Sequence, residues 1–172
     1  NNQRDIYGIF SNGFGVNLQN ISVNIQSFSI EGININTNIY GIYSQRNSQD
    51  LYQEFNLLIK DINIDIYNDI YNLENINTYG IFVYSDPEQL EYNVDIKDNK
   101  VKLHYNTLTN VSSGVMHGMF FVNLYVQMFN NNINIVGNSL VYGIENFQSQ
   151  ININKLDLSV NGTESYGIYT LS

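Results

Sequence analysis

Alanine, cysteine and tryptophan are absent from these 172 residues, and proline occurs once. Losing alanine, the best helix former, disfavours helix along the whole chain. Zero cysteine removes disulfide scaffolds, thiolate zinc sites and cysteine nucleophiles together, while leaving the compartment open. Basic residues are scarce as well: Lys and Arg number 7 against 16 Asp and Glu, a net charge of −9. Such a chain repels phosphate backbones and anionic lipid surfaces, so nucleic acid is not an expected partner. The longest apolar stretch, Gly114 to Phe129, is interrupted by His117, Asn123 and Gln127. It falls short of the roughly 20 residues of a spanning helix, so no such helix is expected. No basic segment followed by an apolar run opens the chain at Asn1, and any targeting peptide is expected to have been removed or to lie outside this stretch.

What fills the space is asparagine and isoleucine, 30 and 23 residues, with 14 Tyr and 9 Phe. β-Branched and aromatic residues favour strands, and asparagine favours turns. A hydrophobic content of 43% with only 13% charge predicts a folded all-β chain with a real core. One domain spanning 1–172 is the expected organisation.

A repeat runs through the chain. Tyr-Gly-Ile recurs at Tyr7-Gly8-Ile9, Tyr40-Gly41-Ile42, Tyr79-Gly80-Ile81, Tyr142-Gly143-Ile144 and Tyr166-Gly167-Ile168, and His117-Gly118-Met119 is a degenerate copy. The glycines are spaced by 33, 39, 38, 25 and 24 residues. Two short alternating runs precede each copy after the first, as in Ile151, Ile153 and then Leu156, Leu158, Val160 before Gly167. Period two predicts strands, three per unit. Most of the length variation lies after the Tyr-Gly-Ile strand, as in Ser44 to Glu54 and around Pro87, with a second site of growth at Tyr67 to Asn77.

This pattern resembles the right-handed parallel β-helix, the solenoid of secreted polysaccharide lyases, phage tailspikes and bacterial autotransporter passengers. The resemblance covers almost the whole chain and rests on the repeated Gly-Ile element, the Asn-rich turns and the three-strand unit. It implies a single-stranded solenoid of about five three-strand coils, in which two strands of each coil supply the crossover that parallel pairing needs. It further implies a secreted or cell-surface protein, an adhesin-like or fibre-like scaffold. Antiparallel folds stay open beside it. Val160-Asn161-Gly162-Thr163 and Lys97-Asp98-Asn99-Lys100 read as hairpin turns of a meander, and the alternation from Ile33 to Tyr43 suits a strand of an outer-membrane barrel.

Strict alternation along each Tyr-Gly-Ile strand puts Tyr40 with Ile42 on a core face. It puts the glycine with the residue two later on the opposite face. There Phe10, Tyr43, Phe82, Phe120 and Tyr169 form an aromatic stripe, with Glu145 as the exception. Aromatic anchors dominate interface energetics, so these five are the candidate binding residues for a glycan or a protein surface. The competing reading is a stacking ladder that only packs.

Catalytic candidates are sparse. His104 lies in a strand and His117 replaces a tyrosine of the repeat, and neither has a nucleophile nearby in sequence. Ser112-Ser113-Gly114 lacks the flanking glycine of a nucleophile elbow. Asp61, Asn63 and Asp65 place three oxygen donors along one strand, without the glycine and glutamate of a calcium loop. Asp86, Glu88 and Glu91 read as a solvated acidic loop. With only Arg4 and Arg46 available, the basic residue that the lyase chemistry needs is not evident. No catalytic residue, metal ligand or cofactor is therefore assigned, and a glycan-cleaving enzyme on the same scaffold stays as the alternative function. Asn20, Asn110 and Asn161 match the N-glycosylation pattern, as chance predicts with so many asparagines. Because the stretch starts and stops on the repeat element with no helix over either end, it is expected to continue in a longer chain or to associate end to end.

Overall fold

The computed structural model describes residues 3–12, 16–28, 36–46, 55–70, 75–86, 92–107 and 114–171. All its elements are strands: β1 Gln3–Asn12, β2 Asn17–Gln19, β3 Ser22–Phe28, β4 Asn36–Arg46, β5 Phe55–Lys60, β6 Asn63–Ile70 and β7 Ile76–Ser85. They continue as β8 Tyr92–Lys97, β9 Lys100–Thr107, β10 Val115–Val122, β11 Tyr125–Gly137, β12 Leu140–Phe147, β13 Gln150–Asn161 and β14 Glu164–Leu171.

Every pairing among them is parallel. A six-stranded sheet runs β1-β4-β7-β10-β12-β14, and an eight-stranded one runs β2-β5-β8-β11-β9-β6-β3 with β13 on β11. The second sheet has two faces, because the first half of β11 pairs with β8 and its second half with β9. The chain thus visits three stations in a fixed order. It enters the first face (β2, β5, β8, early β11 and β13), then the second (β3, β6, β9, late β11 and β13), then the six-stranded third. Each strand pairs with its equivalent one pass away, so the other two faces serve as the long connection a parallel pair requires.

Apolar columns hold the register. Leu18, Ile59, Ile96, Met128 and Ile153 line up inside the first face. Val23, Ile64, Val101, Ile133 and Leu158 do so inside the second. Ile9, Ile42, Ile81, Met119, Ile144 and Ile168 do so inside the third. Members in the middle passes are fully buried, as Ile59, Ile64 and Ile81 show. Each such side chain contributes roughly 1.5–3 kcal/mol. A slip of one residue would turn a whole column outward, so burial fixes the pairing.

The corner between the first and second faces makes repeated use of asparagine and aspartate. In successive passes Asn20, Asp61, Asp98, Asn130 and Lys155 take a left-handed backbone with φ between 52° and 61°. Asn and Asp tolerate that region better than other side chains. The next residue turns inward, and there Asn99 and Asn131 form a buried amide pair. Asn99 Nδ2 donates to Asn131 Oδ1 (3.0 Å) and to the Ile59 carbonyl (3.0 Å), and Asn99 Oδ1 accepts from the Ile62 amide at 2.9 Å. Asn131 Nδ2 donates in turn to the Ile96 carbonyl at 2.9 Å. Amide pairs this well satisfied tie one pass to the next.

The two hairpin expectations are corrected here. Lys97 to Lys100 is this left-handed corner, and its strands β8 and β9 pair with other passes rather than with each other. Val160 to Thr163 joins β13 to β14 in different sheets, and the Thr163 amide bonds back to the Ser139 carbonyl at 3.1 Å. Neither a meander nor an antiparallel barrel is present among the described residues. Of the insertion segments, 47–54, 71–74 and 87–91 lie outside the described residues, as do Asn110, Ser112, Ser113, Ile33 and Ile35.

Candidate functional site

The repeated glycine organises the third face. A Cβ on Gly41 would stand 2.7 Å from Ile64 Cγ2, a core side chain of the second face, and 2.6 Å from the Gly80 carbonyl oxygen. Glycine therefore occupies an inward position where the third and second faces press together. The following isoleucine is inward too, since Ile42 is fully buried in the core. Two consecutive inward residues break the alternation, and the flanking Tyr40 and Tyr43 pack against each other outside the apolar core, Tyr40 covered by neighbouring rings to 8% exposure.

This corrects the expected face assignment. The tyrosine before the glycine does not share the core with the isoleucine after it. It stands beside the aromatic residue at glycine-plus-two, with Tyr40 and Tyr43 centroids 4.9 Å apart in an edge-to-face contact. The pairs Tyr7 and Phe10 (5.3 Å) and Tyr79 and Phe82 (5.3 Å) repeat the geometry.

Two aromatic columns result. In the first, Tyr7, Tyr40, Tyr79, His117, Tyr142 and Tyr166 stack with centroids 4.7–5.2 Å apart and ring planes within 13° of parallel. The second contains the five candidate residues. Phe10 stacks on Tyr43 (5.5 Å) and Tyr43 on Phe82 (5.0 Å), whereas Phe120 meets Phe82 edge-on at 5.1 Å. Glu145 then interrupts the column, and Tyr169 resumes it against Tyr142 at 5.3 Å. Pairs of this kind contribute about 0.5–1.5 kcal/mol each beyond their buried area.

The two departures from the aromatic pattern meet each other. His117 Nδ1 lies 2.8 Å from Glu145 Oε2, with side chains 8% and 13% exposed. The imidazole N–H is not aligned for a hydrogen bond, so the attraction is ionic and acts when the ring is protonated. Nothing in a single sequence links these two positions before the register is known.

The hydroxyls of Tyr7, Tyr40, Tyr43, Tyr79, Tyr142 and Tyr166 titrate late. Burial is the main cause at Tyr40, Tyr43 and Tyr79, whose hydroxyls are all held above the ordinary 10, with the charge of Asp5 adding at Tyr43 and that of Glu145 at Tyr79. Along the strand, Tyr7 donates to Asp5 at 3.3 Å, Tyr43 to Gln45 at 2.9 Å, and Tyr166 to Glu164.

Stacking decides what the stripe offers. Ring faces look at the rings of neighbouring passes, so along the columns a ligand meets edges and hydroxyls. Among the described residues of the stripe Phe10 is the most exposed ring, at 50%.

The other candidates do not converge. His104 lies on the outside of the second face and stacks on Tyr67 at 4.9 Å. Asp61 sits at the corner, 3.5 Å from Lys60 Nζ, while Asn63 and Asp65 face solvent on β6. Among the described residues no three His, Asp or Glu side chains are grouped closely enough to hold a metal ion. No helix among them is long and apolar enough to cross a membrane. Asn20 and Asn161 are exposed.

No protein-family model matches the chain, and neither a curated protein nor a solved structure is similar enough to count as a match.

Proposed function

We propose that the chain is a right-handed parallel β-solenoid that serves as a non-enzymatic structural and adhesive element, secreted or displayed at a cell surface. One observation carries the reading: the same residue-for-residue parallel pairing recurs in every pass, from Tyr7 opposite Tyr40 to Tyr142 opposite Tyr166. The right hand follows from the sterics of strand crossovers, which select it in almost all parallel connections. Repeats that each bury their apolar side only against a neighbour make a stiff array, and stiffness together with outer contact area is what a scaffold or adhesin supplies. An acidic, cysteine-free chain suits such a setting. Partner contacts are expected from the outer faces, with glycan or protein as the counterpart, and end-to-end association belongs to the same proposal.

Incubation of the purified chain with immobilised glycans and with extracellular-matrix proteins tests it. Retention without turnover is the expected result. Release of new reducing ends, abolished by replacing a single aspartate, would establish the glycan-cleaving alternative instead.

A further inference from the structure

The outer side of the first face carries a depression of about 360 Å³ lined by Asp95, Lys97, Gln127, Phe129, Asn152 and Asn154, with Met128 in its floor. Three consecutive passes build it. Gln127 is flanked in register by Asp95 and Asn152, and Phe129 by Lys97 and Asn154. The alternation of β11 turns Tyr125, Gln127 and Phe129 to the same side, and the two aromatics are 37% and 44% exposed.

We propose that this depression is a binding site for a neutral glycan segment. The inference extends the adhesive reading above and rests on it. Phe129 differs from the rings of the third face, because its column neighbours are Lys97 and Asn154 and, among the described residues, no other ring stacks on it. A partly exposed ring of that kind can take the C–H face of a pyranose. Around it stand three primary amides and a carboxylate, the groups that donate to and accept from vicinal hydroxyls. The volume is that of a small-molecule site at the lower end of the range. Tyr125, four residues along an extended strand from Phe129, stands about 13 Å away, room for a chain of more than one sugar between two rings.

Charge selects a neutral ligand. Lys97 Nζ already donates to Asp95 Oδ2 at 2.8 Å, and Lys60, its register neighbour, is 3.5 Å from Asp61. Neither lysine is uncommitted, and a net charge of −9 repels sulfated or sialylated chains.

The test is binding of the full chain to a printed array of neutral, sialylated and sulfated oligosaccharides, followed by titration of the best neutral oligosaccharide. Binding to neutral members is expected, with affinity weakened about tenfold or more in Phe129→Ala, kept in Phe129→Tyr, and unchanged in Lys102→Ala on the exposed outer side of the second face. Unchanged thermal melting of Phe129→Ala shows that the ring is not needed for folding. Preference for charged oligosaccharides, capture of peptides in place of sugars, or full affinity in Phe129→Ala would overturn the site. If no oligosaccharide binds while matrix proteins are still retained, this site falls and the adhesive scaffold stands. If nothing is retained, both fall.

Discussion

Gly80→Ala is the sharpest perturbation of the stack. The new Cβ would lie 2.4 Å from the Gly118 carbonyl oxygen and 2.3 Å from Val101 Cγ1. The first contact is with the backbone of the next pass, which cannot rotate away as a side-chain tip can. Passes are held about 4.8 Å apart by their hydrogen bonds, so relief requires spreading β7 from β10 or pushing Val101 into a filled core. Overpacking of this kind costs about 1–3 kcal/mol, and here two contacts are violated together, which points to about 3 kcal/mol. For a chain of this length that corresponds to a fall of about 6–12 °C in melting temperature. Gly167, in the same motif, provides the control, because its Cβ would meet only Leu158 Cδ2 at 3.6 Å. There alanine is tolerated, or stabilises by a few tenths of a kcal/mol through the unfolded chain. Thermal melting by circular dichroism of both variants checks the argument. Equal melting temperatures for Gly80→Ala and Gly167→Ala would refute the claim that close approach between passes demands the glycine.

Asn99→Leu should destabilise by about 1–3 kcal/mol, since it strands the Ile62 amide and one bond of Asn131. Urea unfolding should show the double change Asn99→Leu with Asn131→Leu costing less than the sum of the singles. Replacing His117 by Tyr alone leaves the Glu145 carboxylate without the imidazole that faces it at 2.8 Å. Adding Glu145→Phe should restore an all-aromatic pair of columns and recover about 1 kcal/mol or more, readable as the coupling in a double-mutant cycle. The ladder tyrosines predict alkaline sensitivity. A phenol held above its unfolded value of 10 stabilises the fold fully below pH 10, and that contribution is lost as pH rises from there through the folded value. The slope is at most about 1.4 kcal/mol per pH unit for each tyrosine, less where an edge stays in water. Absorbance titration at 295 nm of native against urea-unfolded chain should show the native tyrosines ionising later, and coincident curves would contradict it.

Much of the backbone plan was legible because it rests on local pattern. Alternation such as Ile62, Ile64, Ile66 announces strands, and the regular return of Gly41, Gly80 and Gly118 announces equivalent passes. The two faces between copies leave enough chain for parallel pairing. The stripe failed at one point. Strict alternation groups Tyr40 with Ile42, and Tyr40 is indeed buried, but Gly41 and Ile42 both turn inward and Tyr40 packs among the outer rings instead, a break that depends on Ile64 pressing from another face and that a period-two argument has no means of seeing. Glycine-plus-two spacing puts Phe10, Tyr43, Phe82 and Phe120 in one column, as the register does, while the second column beside them escapes a period-two argument for the same reason. Asn161-Gly162 carries a hairpin signal because its local chemistry suits any tight reversal, and only the surrounding sheets decide that it becomes a corner. The His117 and Glu145 contact, and the depression around Phe129, draw on strands far apart in sequence and become visible only once the register is known.

Distances between spin labels test the stacked parallel register most directly. Asn24, Asp65, Lys102, Asn134 and Ser159 form one solvent-facing column of the second face, one residue from each successive pass. Pulsed electron resonance on pairs of labels should give separations that grow by about 4.8 Å per pass, to about 19 Å between Asn24 and Ser159. Separations that do not increase in the order of the passes would contradict the account.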